Sequence, residues 1–352
     1  MSSLISIKDL NVCFNTERGV SHVVKNLNFS IEKGETFGLV GESGCGKSIT
    51  SRSLMKLIPP PGKITKGEII FSQDDNSKNL LNIVDTSPKE MQQIRGKKIG
   101  MIFQEPDTAL NPIMRVGDQI AETLFIQNEL SNDQTFYSKI NHSIKKIFSN
   151  KKKETKVAFF NKSVQLLKSL DIPDPENIAY RYPHQLSGGM KQRILIAIAL
   201  AGSPSLLISD EATSSLDVTV QSQIINLLNQ LKTQKIIQSI LFITHDLGLA
   251  SICCDRLAVM YAGCMCEIAK IPDIFEHPRH PYTNALLKTI PRQSKDTILN
   301  PISGQVPDLV DPPGGCRFHP RCKKAIEKCK THLPELSSLN SNHKVACWNM
   351  HN

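Results

Sequence analysis

The segment GESGCGKS, residues 41–48, sets a lysine and a hydroxyl directly after a glycine-rich turn. Glycines at this spacing let backbone N–H groups curl around an anion, and a helix that follows offers the positive end of its dipole. The pattern G-x-x-x-x-G-K-S therefore points to a triphosphate site. Lys47 supplies a point cation to the β- and γ-phosphate oxygens, and the Ser48 hydroxyl is a ligand for Mg²⁺. The expected nucleotide contacts are Gly41, Ser43, Gly44, Cys45, Gly46, Lys47, Ser48 and Ile49. Cys45 reads as a tolerated small side chain. A tight glycine turn with a surface lysine is the bland alternative, and it leaves the strand before and the helix after unexplained.

LLISDE, residues 206–211, supplies a second half for such a site. Its apolar run buries a strand whose carboxyl end presents Asp210, where open α/β sheets bind ligands. An acid there joins the Mg²⁺ shell, and Glu211 can polarise an attacking water as general base. LSGGM, residues 186–190, is a third element: a serine and two glycines opening an apolar, helix-period run. Its unpartnered first-turn N–H groups and helix dipole make another anion site.

These residues need an alternation of strands and helices to hold them. Strand-like runs lie at residues 34–40, 97–103, 205–211, 239–245 and 256–263, with helical patterns between several of them. Such alternation indicates an α/β core with buried parallel strands. With 352 residues, 40% hydrophobic and 21% charged, the chain has room for two or three domains and is not disordered in bulk. Its net charge of +9 suits an anionic partner without choosing one. The N-terminal stretch lacks the pattern of a secretory signal, and no run reaches the ~18 apolar residues of a membrane span. Residues 126–162 are polar and lysine-rich and read as an inserted helical region whose lysines form a solvated face.

The order of these motifs resembles the ATP-binding subunits of ABC transporters. LSGGM is similar to that family's signature motif, usually LSGGQ, with Met190 in place of the glutamine. The resemblance implies a phosphate-loop ATPase cassette: a RecA-like core with an antiparallel β subdomain and a helical subdomain. Two cassettes would pair head to tail, so that Ser187, Gly188 and Gly189 close over the partner's γ-phosphate. It also implies that Gln104 in FQEP contacts Mg²⁺ and the attacking water, beside Ser48 and Asp210 as Mg²⁺ ligands. Asp217 in SSLD would cross the dimer interface, and His245 in FITHD would be the switch on the γ-phosphate, completing a catalytic set with Glu211 and Gln104. Ala212 stands where proline commonly follows the glutamate, and ERGVSH, residues 17–22, has no aromatic residue for the adenine.

Residues 277–291 and 314–322 further resemble the tail of the dipeptide and oligopeptide importer branch. The expected layout is a cassette over 1–270, with its helical subdomain at about 105–195, and a small cysteine-rich extension over 271–352. Cys316, Cys322, Cys329 and Cys347 are widely spaced, unlike the close pairs of structural zinc sites. Their spacing fits a [4Fe–4S] cluster better, as branch members carry, with zinc as the alternative. The other six cysteines, Cys253 and Cys254 among them, read as buried small apolar residues.

The branch implies ATP-driven import of di- and oligopeptides. The expected partners are two membrane permease subunits, a second cassette from a related chain (a second copy being the alternative) and, indirectly, a peptide-binding protein. The chain would sit peripherally on the cytoplasmic side of the cell membrane. Importers of nickel, opines or antimicrobial peptides are nearer alternatives. A soluble nucleic-acid- or ribosome-associated ABC ATPase is the remoter one, since nucleic acid is not an expected partner of a single cassette without a coiled-coil insertion.

Overall fold

The computed structural model describes residues 3–72, 80–132, 153–290, 302–340 and 342–350. Most of the lysine-rich stretch lies outside them; its flanks fall in the helices Val116–Asn132 and Lys153–Ser169. The strands in chain order are β1 (Ser3–Thr16), β2 (Gly19–Glu32), β3 (Thr36–Val40), β4 (Gly62–Ser72), β5 (Leu80–Asn82), β6 (Ile99–Ile102), β7 (Leu206–Asp210), β8 (Ser239–Thr244), β9 (Arg256–Tyr261), β10 (Cys264–Lys270), β11 (Ser337–Ser338) and β12 (Lys344–Val345). The chain forms two compact units, one of Met1–Met91 with Ser239–Asn352, the other of Gln92–Gln238.

In the first unit β1 pairs antiparallel with β2 and β4, and β4 with β5. Separately, β3 lies between β8 and β9 and runs parallel to both. A strand flanked on both edges and covered on both faces reads as a near-continuous apolar run; Phe37, Leu39 and Val40 supply it here, and every residue of β3 is buried. Phe37 of β3 stacks on Phe29 of β2 with ring centroids 5.2 Å apart. Beyond β9 the pairing turns antiparallel, through β10 and β12 to β11.

The cysteine-rich tail shares this unit and its core. Phe318 is buried among Val40, Tyr261 and Tyr282, with Ile302, Val306, Leu309, Cys316 and Cys322 packed against the same cluster. Its ring meets Tyr261 edge-on at 5.1 Å. Arg317 donates to the carbonyls of Ala262 and His22, and the Ala346 N–H donates to the Cys266 carbonyl at 2.8 Å. Below them Glu267, fully buried in β10, accepts from the N–H groups of Arg279 and His280 and from His343 Nε2 at 2.7–2.9 Å. The tail is therefore secured by ordinary apolar burial and hydrogen bonds.

In the second unit β6 and β7 pair in parallel, both buried throughout. Around them stand the helices Val116–Asn132, Lys153–Ser169, Gly188–Leu200 and Val218–Thr233. Phe125 and Phe159 meet edge-to-face at 5.6 Å between the first two. Parallel strands alternating with helices, beside an antiparallel sheet, make this an α/β fold, as the motif order implied.

Candidate functional site

Val40 ends β3, and the chain turns at once into the phosphate loop. A Cβ on Gly41 would lie 2.1 Å from the Met260 carbonyl oxygen, so only glycine fits against β9. Gly46, at φ 99°, caps the helix Lys47–Leu54 in the left-handed region that glycine alone adopts freely. The Cys45 carbonyl accepts from the Gly263 N–H at 2.9 Å, pinning the loop to the β9–β10 turn. Cys45 itself is buried, a packed small side chain as expected. Lys47 is 3% exposed and arches back over the loop, its Nζ donating to the carbonyls of Gly41 at 2.8 Å and Glu42 at 3.2 Å. A buried ammonium beside a glycine turn at a helix N-terminus is a place for phosphate. Tyr282, which the sequence did not single out, also holds this loop: its Oη accepts from the Glu42 N–H at 3.1 Å. Its aromatic ring in an apolar helical run signals burial, but nothing local signals that contact.

His245 follows β8 directly and is exposed. The next residue, Asp246, caps the helix Leu247–Cys253 by accepting from Gly248 and Leu249 N–H at 2.7 and 3.1 Å. That cap turns the chain sharply at the end of the strand.

In the second unit, Asp210 sits at the carboxyl end of β7 and is 4% exposed. Glu211 has φ 48°, the left-handed region that a residue with a Cβ enters at a cost of about 1 kcal/mol. Its carbonyl accepts from the N–H and the hydroxyl of Ser214 at 3.1 and 3.0 Å, which holds the turn. Gln104 is exposed two residues past β6.

The signature segment opens the helix Gly188–Leu200. Ser187 is its N-cap, with Oγ accepting from Met190 N–H at 3.4 Å. Asp217 caps the helix Val218–Thr233, accepting from Val220 N–H at 2.9 Å. These two helix tips touch: a Cβ on Gly189 would lie 2.8 Å from Val220 Cγ1, and one on Gly188 3.5 Å from Leu216 Cδ2. Ser187, Gly188 and Asp217 are all exposed. The fold thus gathers them onto one open face with two helix N-termini.

The four tail cysteines are partly or fully buried. Burial pushes the Cys316 thiol up to about 12, with the Cys329, Cys347 and Cys322 thiols adding to the rise. Burial likewise raises Cys322, and lifts Cys347 to about 11. Among the described residues no group of three or more His, Cys, Asp or Glu side chains is arranged to hold a metal ion, so the expected metal centre gains no direct support. Of the six remaining cysteines Cys13, Cys45 and Cys266 are buried as expected. Cys253, Cys254 and Cys264 are only half-buried, because they lie at element ends and not mid-core.

A phosphate loop between a buried parallel strand and a helix, with a serine–glycine helix tip in the second unit, defines an ATP-binding cassette. The chain belongs to the ABC transporter family, whose model matches residues 24–214. Residues 266–329 match a second model, the C-terminal region of oligopeptide/dipeptide transporters. Similar relatives are the oligopeptide transport ATP-binding protein OppD of Bacillus subtilis, 43% identical over 100% of this chain and 90% of its own, and the dipeptide transport ATP-binding protein DppD of the same organism, 43% identical over 99% and 95%. Among solved structures, the ADP- and phosphate-bound dimer of the cassette MJ0796 superposes with a TM-score of 0.58 at 24% identity, over 76% of this chain and 98% of that one. At that identity the likeness speaks for the fold.

Proposed function

We propose that this chain is the ATP-hydrolysing subunit of an importer of di- and oligopeptides. The observation that carries the reading is the match of residues 266–329 to the oligopeptide/dipeptide C-terminal region. Those residues share one unit with a phosphate loop whose lysine is buried and poised over it.

Gly41, Ser43, Gly44, Cys45, Gly46, Lys47, Ser48 and Ile49 hold the triphosphate. Ser48, Gln104 and Asp210 are the Mg²⁺ ligands; the ion neutralises charge on the β- and γ-oxygens. Glu211 accepts the proton of the attacking water and His245 steadies the γ-phosphate, with Gln104 orienting the water. Ser187, Gly188 and Gly189 seal the nucleotide of a second cassette, and Asp217 lies at that interface. The exposure of Ser187, Gly188 and Asp217 supports that pairing. The second cassette is a related chain, and two permease subunits and a peptide-binding protein complete the importer. Among the described residues no helix is long and apolar enough to cross a membrane. The chain attaches peripherally, through the permease subunits, on the cytoplasmic side. Within the chain the cassette spans 1–270 and the extension 271–352. Cys316, Cys322, Cys329 and Cys347 ligate a [4Fe–4S] cluster that cross-links the tail. Burial disfavours the thiolate forms of Cys316, Cys322 and Cys347, and bound iron would take the place of their protons.

The test is peptide uptake by vesicles carrying the chain with its partner cassette and permeases. ATP-dependent accumulation of a labelled dipeptide is expected, and Glu211→Gln should lower turnover by about 10²-fold or more while ATP stays bound. Uptake of nickel without peptide, or steeply salt-dependent RNA binding with no uptake, would overturn the reading.

A further inference from the structure

Glu42 is the first variable position of the phosphate loop, and it brings a negative charge to a loop that must hold a polyanion. The tail meets that charge. The Arg321 guanidinium forms a two-pronged pair with the Glu42 carboxylate, Nη1 to Oε2 at 2.7 Å and Nη2 to Oε1 at 3.2 Å. The fork is braced from behind. Its Nε donates to the Ser303 carbonyl at 3.0 Å, Nη2 to the Ile302 carbonyl at 3.1 Å and Nη1 to Tyr261 Oη at 3.2 Å. The Arg321 side chain is 7% exposed and that of Glu42 23%, so solvent screens the pair weakly. A planar fork held at five points differs from a mobile surface pair.

Glu42 is engaged through its other polar groups as well. Its N–H donates to Tyr282 Oη, and its carbonyl accepts from Lys47 Nζ, the cation assigned to the phosphates. The carboxylate is thus one residue's reach from the triphosphate, on the backbone segment that seats Lys47. We propose that Arg321 is a positioning residue for ATP: it neutralises Glu42 and draws its carboxylate toward the tail, away from the nucleotide. Without it, Glu42 faces the phosphates as a bare anion and repels them, ATP more than ADP because ATP carries more charge. The tail thereby becomes part of the nucleotide site's electrostatics, in addition to its packing role.

This rests on residues 41–48 holding the triphosphate, and the experiment separates the two claims. Mg·ATP and Mg·ADP are titrated calorimetrically into the full chain and four variants. Lys47→Ala tests the loop itself, and undiminished ATP binding there would overturn the site reading. Arg321→Gln should weaken ATP binding roughly fivefold to tenfold and ADP binding less. Adding Glu42→Gln to Arg321→Gln should return ATP affinity to within roughly twofold of the parent, since the repelling charge is gone. Glu42→Gln alone should bind ATP at least as tightly as the parent. A double variant as weak as Arg321→Gln, a weakened Glu42→Gln, or an Arg321→Gln chain with parental affinity would each overturn the proposal. The first of these would reduce Arg321 to a structural tether.

Discussion

His280 predicts how the stability of the first unit depends on pH. The ring caps the helix Pro281–Leu287: its Nδ1 accepts from the Tyr282 N–H at 3.0 Å, while the backbone of Ala346 provides a second hydrogen bond. Both bonds suit the neutral ring, and a proton on Nδ1 would oppose the Tyr282 N–H. Burial lowers its pKa from 6.5 to about 4. Between those values the unfolded chain takes up a proton that the folded chain refuses, so stability falls as pH drops from 6.5 toward 4 and is complete above 6.5. At pH 5 the loss from this ring amounts to about 2 kcal/mol relative to pH 7. His280→Asn keeps a capping acceptor and removes the titration. The assay is urea unfolding at pH 7 and pH 5, read by the fluorescence of Trp348, the single tryptophan, which lies two residues past Ala346. The parent should lose about 2 kcal/mol more than the variant between the two pH values. Equal losses would refute the argument, because every other titrating group is common to both proteins.

Two further outcomes are expected. Gly41→Ala would drive a methyl into the Met260 carbonyl at 2.1 Å, and strain of about 1–3 kcal/mol should displace the loop; a calorimetric titration showing parental ATP affinity would contradict this. Anaerobically purified chain should be brown with broad visible absorption if the tail cysteines carry the cluster, and Cys329→Ser should bleach it, whereas a colourless preparation holding one zinc per chain would overturn that assignment.

What the sequence disclosed was what is local. The phosphate loop could be read because spacing alone places Lys47 and Ser48 after a strand, and Asp210 because an apolar run ending in an acid is a buried strand. Ser187 was readable as a helix opening, and the structure makes it the cap. The left-handed backbone of Glu211 was not readable, since nothing in DEAT requires it. Long-range contacts were equally silent. Glu42 and Arg321 lie 279 residues apart, and only folding shows that the tail reaches the loop. The tail's composition, rich in proline and cysteine, suggested a domain short of core; the apolar residues Phe318, Ile302 and Leu309 are too scattered in sequence to announce a shared one.

The first unit is assembled from both ends of the polypeptide, while the second is one unbroken stretch. During translation Gln92–Gln238 can complete itself early, whereas β3 must wait for β8 and β9, which emerge some 200 residues later. At about 5–20 residues per second that delay lasts roughly 10–40 s. For that interval a largely apolar strand stands with both edges unpaired, an invitation to pair with a neighbouring nascent chain. A messenger truncated before codon 239 would release a polypeptide fixed in that hazardous condition, with its nucleotide loop tethered to nothing.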